Sequence, residues 1–244
     1  VKNCEREAVM KEDTMSQFEV ILWDVDGTLL DFLTAERAAI CSLFREYGLG
    51  KCTDEMIGRY SRINKRYWEK LELGEMTKPQ ILVGRFKEFF RGEGLDESLG
   101  ESFNAAYQTR LGDTIAFCDN SKEIVTSFRG RYKQYVVSNG TIAAQTKKLK
   151  NSGFDKLMDG IFLSEQVGYE KPAKEFFDIV LREIKAAERD KVLIVGDSLT
   201  GDMMGGTRAG IKTCWYNPDG LENHTEARVD YEIRNLNEII LIMR

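Results

Sequence analysis

The chain has 244 residues, 42% hydrophobic and 31% charged, with 35 basic against 40 acidic side chains for a formal net charge of -5. That length suits one large domain, or a core with an insert, around a substantial hydrophobic interior. The mild acidic balance offers no general attraction to nucleic acid polymers or anionic lipid, and no stretch reaches the apolar length of a bilayer span. The cysteines, Cys4, Cys41, Cys52, Cys118 and Cys214, lack paired spacing, which argues against a disulfide framework or zinc cluster and for a reducing compartment, the cytoplasm. Residues 1–15 lack the apolar core of a signal peptide and read as an N-terminal extension without an assigned function.

The first apolar run, from Phe18 to Trp23, reads as a buried strand that ends in Asp24 and Asp26, followed by Gly27 and Thr28. Two carboxylates this close repel, and burial penalises both, so folding alone does not call for them. A divalent cation would lift that penalty, leaving one carboxylate to attack an electrophile and the other to handle a proton. Helical spacing then begins: Ala35 to Tyr47, Asp54 to Leu71, Ile81 to Phe90 and Leu99 to Leu111. Four helices without a strand between them do not make a strand-to-strand crossover; they read as a helical bundle inserted over residues 31–112. Its phenylalanines, Phe44, Phe86, Phe89, Phe90 and Phe103, read as bundle core, whereas Asn64, Lys65, Trp68 and Arg85 combine polar groups with a large aromatic and are candidates for substrate contact.

Alternation resumes with a helix at Ser121–Arg129 and a strand at Tyr135–Val137 that runs into Ser138, Asn139 and Gly140. A helix at Ile142–Ser152 leads to the strand Ile161–Leu163 and then to Lys171-Pro172. A helix at Lys174–Lys185 precedes the strand Val192–Val195, which ends in Gly196, Asp197 and Ser198, with Asp202 shortly after. A helix at Asp202–Ala209, a strand at Ile211–Tyr216, a short strand near Arg228–Tyr231 and a tail helix near Leu236–Ile242 complete the chain. The pattern predicts an α/β fold, three layers around a mostly parallel sheet over residues 16–30 and 113–244, capped by the helical insert. In such a sheet the C-terminal strand ends share one crevice, so these polar clusters converge.

Asp24-x-Asp26-Gly27-Thr28, Ser138-Asn139-Gly140, Lys171-Pro172 and Gly196-Asp197-Ser198 with Asp202 resemble the four motifs of the haloacid dehalogenase-like hydrolase superfamily, in the right order. The insert resembles that family's type-one cap, and the second acid, Asp26, points to phosphate rather than halide chemistry. Asn64-Lys65-x-x-Trp68, Gly84-Arg85-Phe86, Ser164-Glu165-x-Val167-Gly168 and Thr213-Cys214-Trp215 with Asn217 are similar to bacterial house-cleaning pyrimidine 5'-nucleotidases.

The resemblance implies Asp24 as the nucleophile, Asp26 as acid and base with its main-chain carbonyl on magnesium, and Asp197 completing the metal site. It implies Ser138, Asn139 and Lys171 as phosphate ligands, and Asp202 as an orienter of the metal's water or of Lys171. Asn64, Trp68 and Arg85 are the implied specificity residues, and Mg2+ the implied cofactor. Hard oxygen ligands without histidine or cysteine suit that ion. The expected substrate is a small phosphorylated metabolite, a pyrimidine nucleoside 5'-monophosphate first. A sugar-phosphate phosphatase or phosphomutase is the alternative enzyme, and a regulatory protein on an inactive hydrolase core the non-enzymatic one. A monomer or small homo-oligomer is expected. His224, the single histidine, falls in a polar loop and is excluded from catalysis.

Overall fold

The run before Asp24 forms β1 (Val20–Trp23) in a computed structural model, which describes residues 17–244. The expected extension at residues 1–15 lies outside the described residues. The helices α1 (Phe32–Glu46), α2 (Asp54–Glu72), α3 (Lys78–Gly92) and α4 (Gly100–Arg110) follow without an intervening strand. Then come α5 (Ser121–Phe128), β2 (Lys133–Ser138), α6 (Ile142–Ser152), β3 (Gly160–Leu163) and the single turn α7 (Ser164–Val167). The chain continues through α8 (Lys174–Glu183), β4 (Val192–Gly196), α9 (Met204–Ala209), β5 (Lys212–Tyr216), β6 (Tyr231–Ile233) and α10 (Ile239–Ile242).

The six strands form one sheet in the order β3-β2-β1-β4-β5-β6, and every neighbouring pair is parallel. Such strands are buried on both faces, which is why β1 and β4 read as continuous apolar runs. Alternate residues serve opposite layers. Ile21, Trp23, Val136, Leu193 and Val195 pack with residues of α5 and α10. Leu22, Val137 and Ile194 pack with Phe176, Phe177 and Val180 of α8 and with Ala209 of α9. This is a three-layer α/β fold. Among the described residues no helix is long and apolar enough to cross a membrane.

The expected phenylalanine core of α1–α4 is present: Phe44, Phe86, Phe89, Phe90 and Phe103 are at most 1% exposed. They form an apolar cluster that Ala144 of α6 joins, with Tyr60 stacked on Phe86 at 4.8 Å between centroids. We propose that residues 31–112 are a cap unit. Its two connections to the sheet domain lie side by side, with Leu30 bridged antiparallel to Phe117 and Asp31 N donating to Ala116 O at 2.9 Å.

Several element boundaries shift by a few residues from the sequence pattern, and two of the shifts have a visible cause. The last strand begins at Tyr231, not Arg228, because residues 228–230 meet Thr213 through side chains: Thr213 Oγ1 donates to Arg228 O and Thr213 N to Asp230 Oδ2. The helix expected from Asp202 starts earlier, as a π-turn at Leu199–Met203 that leads into α9. Ser198 caps it, its hydroxyl accepting from Gly201 N at 2.9 Å.

Candidate active site

Asp24 sits one residue beyond β1, its N–H donating to Val195 O at 2.9 Å, so the central strand fixes its backbone. β2 and β4 flank β1 and deliver Ser138 and Asp197 to the same edge. Carboxylate oxygens of Asp24, Asp197 and Asp202 lie within 4.8 Å of one another. Lys171, 2% exposed, reaches under them and uses all three ammonium protons: to Asp24 Oδ1 at 2.6 Å, Asp202 Oδ1 at 2.6 Å and Val137 O at 3.0 Å. A buried ammonium is tolerable only with such complete pairing.

Asn139 fixes the lysine. Its side chain donates to Lys171 O at 2.9 Å and accepts from Lys171 N at 2.8 Å, joining the loop after β2 to the loop before α8. Ser138 is buried and its hydroxyl accepts from Gly140 N at 3.0 Å. Two first-turn N–H groups of α6 are engaged, Ile142 N by Glu165 and Ala144 N by Thr141 Oγ1. Asp202, besides holding Lys171, accepts from Ser198 N at 3.2 Å.

Asp26 stands apart. Its carboxylate is not in the acidic cluster but turns to α6, where Gln145 and Lys148 each donate to it at 2.6 Å. Gly27 explains itself by proximity: its φ is +90°, and a Cβ there would lie 2.6 Å from Asp197 Oδ2. Thr28, fully buried, donates to Asp197 Oδ1 at 3.3 Å, and Trp215 Nε1 donates to Asp197 O at 3.0 Å.

Sequence reasoning missed Glu72. It closes α2 and spans the crevice to accept hydrogen bonds from Ser198 and Thr200 beside Asp197. Nothing marks it in the sequence, since it is one acid among several on an amphipathic helix. Four carboxylates therefore meet one ammonium. Burial raises the Asp24 pKa well above its usual value; Lys171 opposes this, while Asp202 and Asp197 add to it. Asp197 opens onto the crevice, yet desolvation and the charges of Asp202 and Glu72 push it to about 7. Desolvation, opposed by its Thr200 bond and supported by Asp202, also pushes Glu72 to about 7. An excess of negative charge on hard oxygen donors fits a magnesium-like cation.

The crevice has a volume of about 790 Å³, within the range of about 300–1,000 Å³ usual for small-molecule sites. Asp24, Asp26, Ser138, Asn139, Lys171, Asp197 and Asp202 line it from the sheet side, and Asn64, Trp68 and Arg85 from the helices. Trp68 is half-buried. Asn64 and Arg85 are 3% and 1% exposed, and their polar groups are largely engaged inside the bundle. Asn64 Nδ2 donates to Glu36 at 2.9 Å, Arg85 donates to Asn64 Oδ1 at 2.6 Å and to Asn104 at 3.1 Å, and the guanidinium lies 5.8 Å from the Trp68 ring. Glu36, also bonded by Ser61, is pushed to about 7 by burial. Cys118 lines the crevice, its thiol pushed up to about 12 by burial. His224 is exposed, its Nε2 3.6 Å from Glu222 Oε2.

Residues 21–216 match the model of the haloacid dehalogenase-like hydrolase family. The chain belongs to that family. This hydrolase is 35% identical over 229 residues to the HAD-hydrolase YfnB of Bacillus subtilis, across 94% of this chain and 97% of that protein. The YfnB crystal structure, bound to magnesium and reported to reveal interdomain movement, matches with a TM-score of 0.87 over 93% of this chain and 99% of that one. Pyrimidine 5'-nucleotidase PynA of Streptococcus pneumoniae is 34% identical, covering 91% of this chain and 94% of that protein. For pyrimidine 5'-nucleotidase YjjG of Escherichia coli the identity is 28%, over 91% of this chain and 96% of that protein.

Proposed function

We propose that this phosphatase removes phosphate from nucleoside 5'-monophosphates, pyrimidine ones in preference, through a phospho-Asp24 intermediate with Mg2+ as cofactor. The observation that carries the reading is the Asp24–Asp197–Asp202 cluster over Lys171 at the floor of a crevice whose opposite wall presents Trp68. Phosphoryl transfer needs positioning and neutralised charge more than covalent variety, and this floor supplies both. Asp24 is the nucleophile. Its backbone is held by β4 and its Oδ1 by Lys171, which aims the carboxylate and offsets the charge on the transferred group. Splitting hydrolysis at an acyl phosphate replaces one difficult step by two easier ones. Asp26 protonates the departing ester oxygen and then takes a proton from the water that attacks the phosphoenzyme. Ser138 and the main chain at Asn139 receive phosphoryl oxygens.

Asp24 and Asp197, with the Asp26 main-chain carbonyl, would hold the cation, and Asp202 serves by holding Lys171. When bound, the ion neutralises the carboxylates and the phosphoryl oxygens together. On the cap side, Trp68 is the base-stacking surface, backed by the Arg85 guanidinium. The proposed partner is a soluble small metabolite and the proposed compartment the cytoplasm, in keeping with the free thiols of Cys41, Cys52, Cys118 and Cys214.

The test is phosphate release from a panel of pyrimidine and purine nucleoside monophosphates and hexose phosphates, with Trp68→Ala assayed beside the wild type. Pyrimidine monophosphates should be turned over fastest. Trp68→Ala should lose about 1–3 kcal/mol of selectivity for them, with little change in Tm. Hexose phosphates turned over faster than every nucleotide would overturn the reading. An unchanged substrate ratio in Trp68→Ala would remove the stacking.

A further inference from the structure

Gln145 and Lys148 stand on one face of α6, three residues apart, and both are spent on Asp26. Gln145 Nε2 donates to Oδ2 at 2.6 Å and Lys148 Nζ to Oδ1 at 2.6 Å, so both carboxylate oxygens are held from one side. The donors are 0% and 2% exposed, whereas the Asp26 side chain keeps 26% of its surface open to the crevice. Gly140 makes the reach possible, since a Cβ there would fall 2.1 Å from Gln145 Nε2. Lys148 Nζ also lies 5.0 Å from the centroid of Phe32, the first residue of α1. The other amide atom, Gln145 Oε1, is buried without a hydrogen-bond partner among the described residues.

We propose that Gln145 and Lys148 are positioning residues for Asp26, fixing the direction in which its carboxyl group meets first the leaving oxygen and then the hydrolytic water. This rests on the phospho-Asp24 reading. In the first half-reaction an Asp24 oxygen bonds to phosphorus, the ester P–O bond breaks with its electron pair on the leaving oxygen, and the Asp26 proton passes to that oxygen. In the second, water bonds to phosphorus, the pair of the broken bond returns to Asp24, and a water proton passes to Asp26. Asp26 thus alternates between acid and carboxylate at one place. Both donors suit that alternation: Gln145 NH2 and the Lys148 ammonium can donate to Oδ2 and Oδ1 in either state, which leaves the acid proton to face the leaving oxygen. Lys148 grips the other oxygen in both states, and its contact with Phe32 ties the grip to the first helix of the cap.

A merely structural ion pair, stapling α6 to the loop after β1, would have different consequences. First-turnover rates, measured by rapid quench, separate the two on the best alkyl phosphate of the panel and on p-nitrophenyl phosphate, whose leaving group departs without a proton. Lys148→Met and Gln145→Met should slow the alkyl ester about tenfold or more, within the usual worth of a general acid, while the aryl ester changes about threefold or less. Lys148→Arg should restore most of the alkyl rate. Met keeps the apolar packing on Phe32, and Asp26 remains partly solvated, so neither variant leaves a buried lone charge. Asp26→Asn is the reference and should show the same selectivity at larger amplitude. Should Asp26→Asn be selective while Lys148→Met and Gln145→Met slow both esters alike, or neither, the positioning role is overturned. An Asp26→Asn enzyme that slows both esters equally removes the acid assignment, and the proposal with it.

Discussion

Asp24 and Gly27 show two ways a residue type becomes obligatory. On the proposed mechanism Asp24 is needed for its oxygen. Asp24→Asn keeps the shape and a Lys171 contact but has no nucleophilic carboxylate, so turnover should fall by several orders of magnitude without loss of fold, read by phosphate release beside far-UV circular dichroism. Phosphoenzyme trapped by acid quench in wild type should be missing from this variant. Persisting turnover, with deamidation excluded, would refute the nucleophile. Gly27 is needed for what it lacks. Its φ of +90° is strained for any side chain, and a Cβ would press on Asp197 at 2.6 Å. Gly27→Ala should therefore cost more than about 1 kcal/mol of stability and push Asp197 off its Thr28 contact. The Mg2+ concentration for half-maximal activity should rise, and an unchanged value would show that Asp197 does not hold the ion.

At the scale of elements, α2 connects the cap to the loop that carries Asp197. Glu72 accepts from Ser198 and Thr200 within the turn that opens at Leu199, so Glu72→Ala should loosen that turn. Amide hydrogen exchange over residues 199–203 should quicken while β1 and β4 keep their protection, and equal protection throughout would contradict the link. The same elements show what a sequence discloses. β1 and β4 were legible because strands buried on both faces must be apolar along their length, and β2 through its apolar part, residues 135–137; their polar ends then stand out. Lys171 and Asp202 were legible through the resemblance. Glu72 was not, because its partners are 126 and 128 residues away and helix periodicity records only that it is polar. Arg85 stood out as a polar residue in an aromatic helix, but only tertiary packing shows that its guanidinium lies beneath Trp68 and bonds Asn64 and Asn104. Gln145 and Lys148 read as ordinary helix residues until α6 is laid against the loop after β1.

For the whole molecule, the buried acids set how stability follows pH. Glu36 rises from a usual 4.5 to about 7 because burial disfavours its charge, and Glu72 and Asp197 rise to about 7 as well. A raised acid pKa means that the folded state binds protons the unfolded chain has released. The stabilisation is complete below the ordinary carboxylate values and is lost as pH climbs through about 7. Glu36 alone corresponds to a contribution on the order of 3 kcal/mol. The Tm of metal-free protein should thus fall between about pH 5 and pH 8, and Glu36→Gln should flatten that fall. Asp159 and Asp230, whose pKa values are lowered, act only at more acidic pH. Mg2+ should recover stability chiefly at the alkaline end, where Asp197 has lost its proton. Equal recovery at pH 5 would contradict a cation held by that carboxylate.

The paired connections at Leu30–Asp31 and Ala116–Phe117 also make the cap a replaceable part. A chain that leaves and re-enters the sheet domain at adjoining points can exchange everything between them without redrawing the strand order. Of the side chains that floor the crevice, none comes from the exchanged segment; from the cap, Glu72 reaches over to the Asp197 loop. Rewriting that single contiguous stretch would recast the wall that faces a substrate and leave Asp24, Asp197, Asp202 and Lys171 where the sheet holds them.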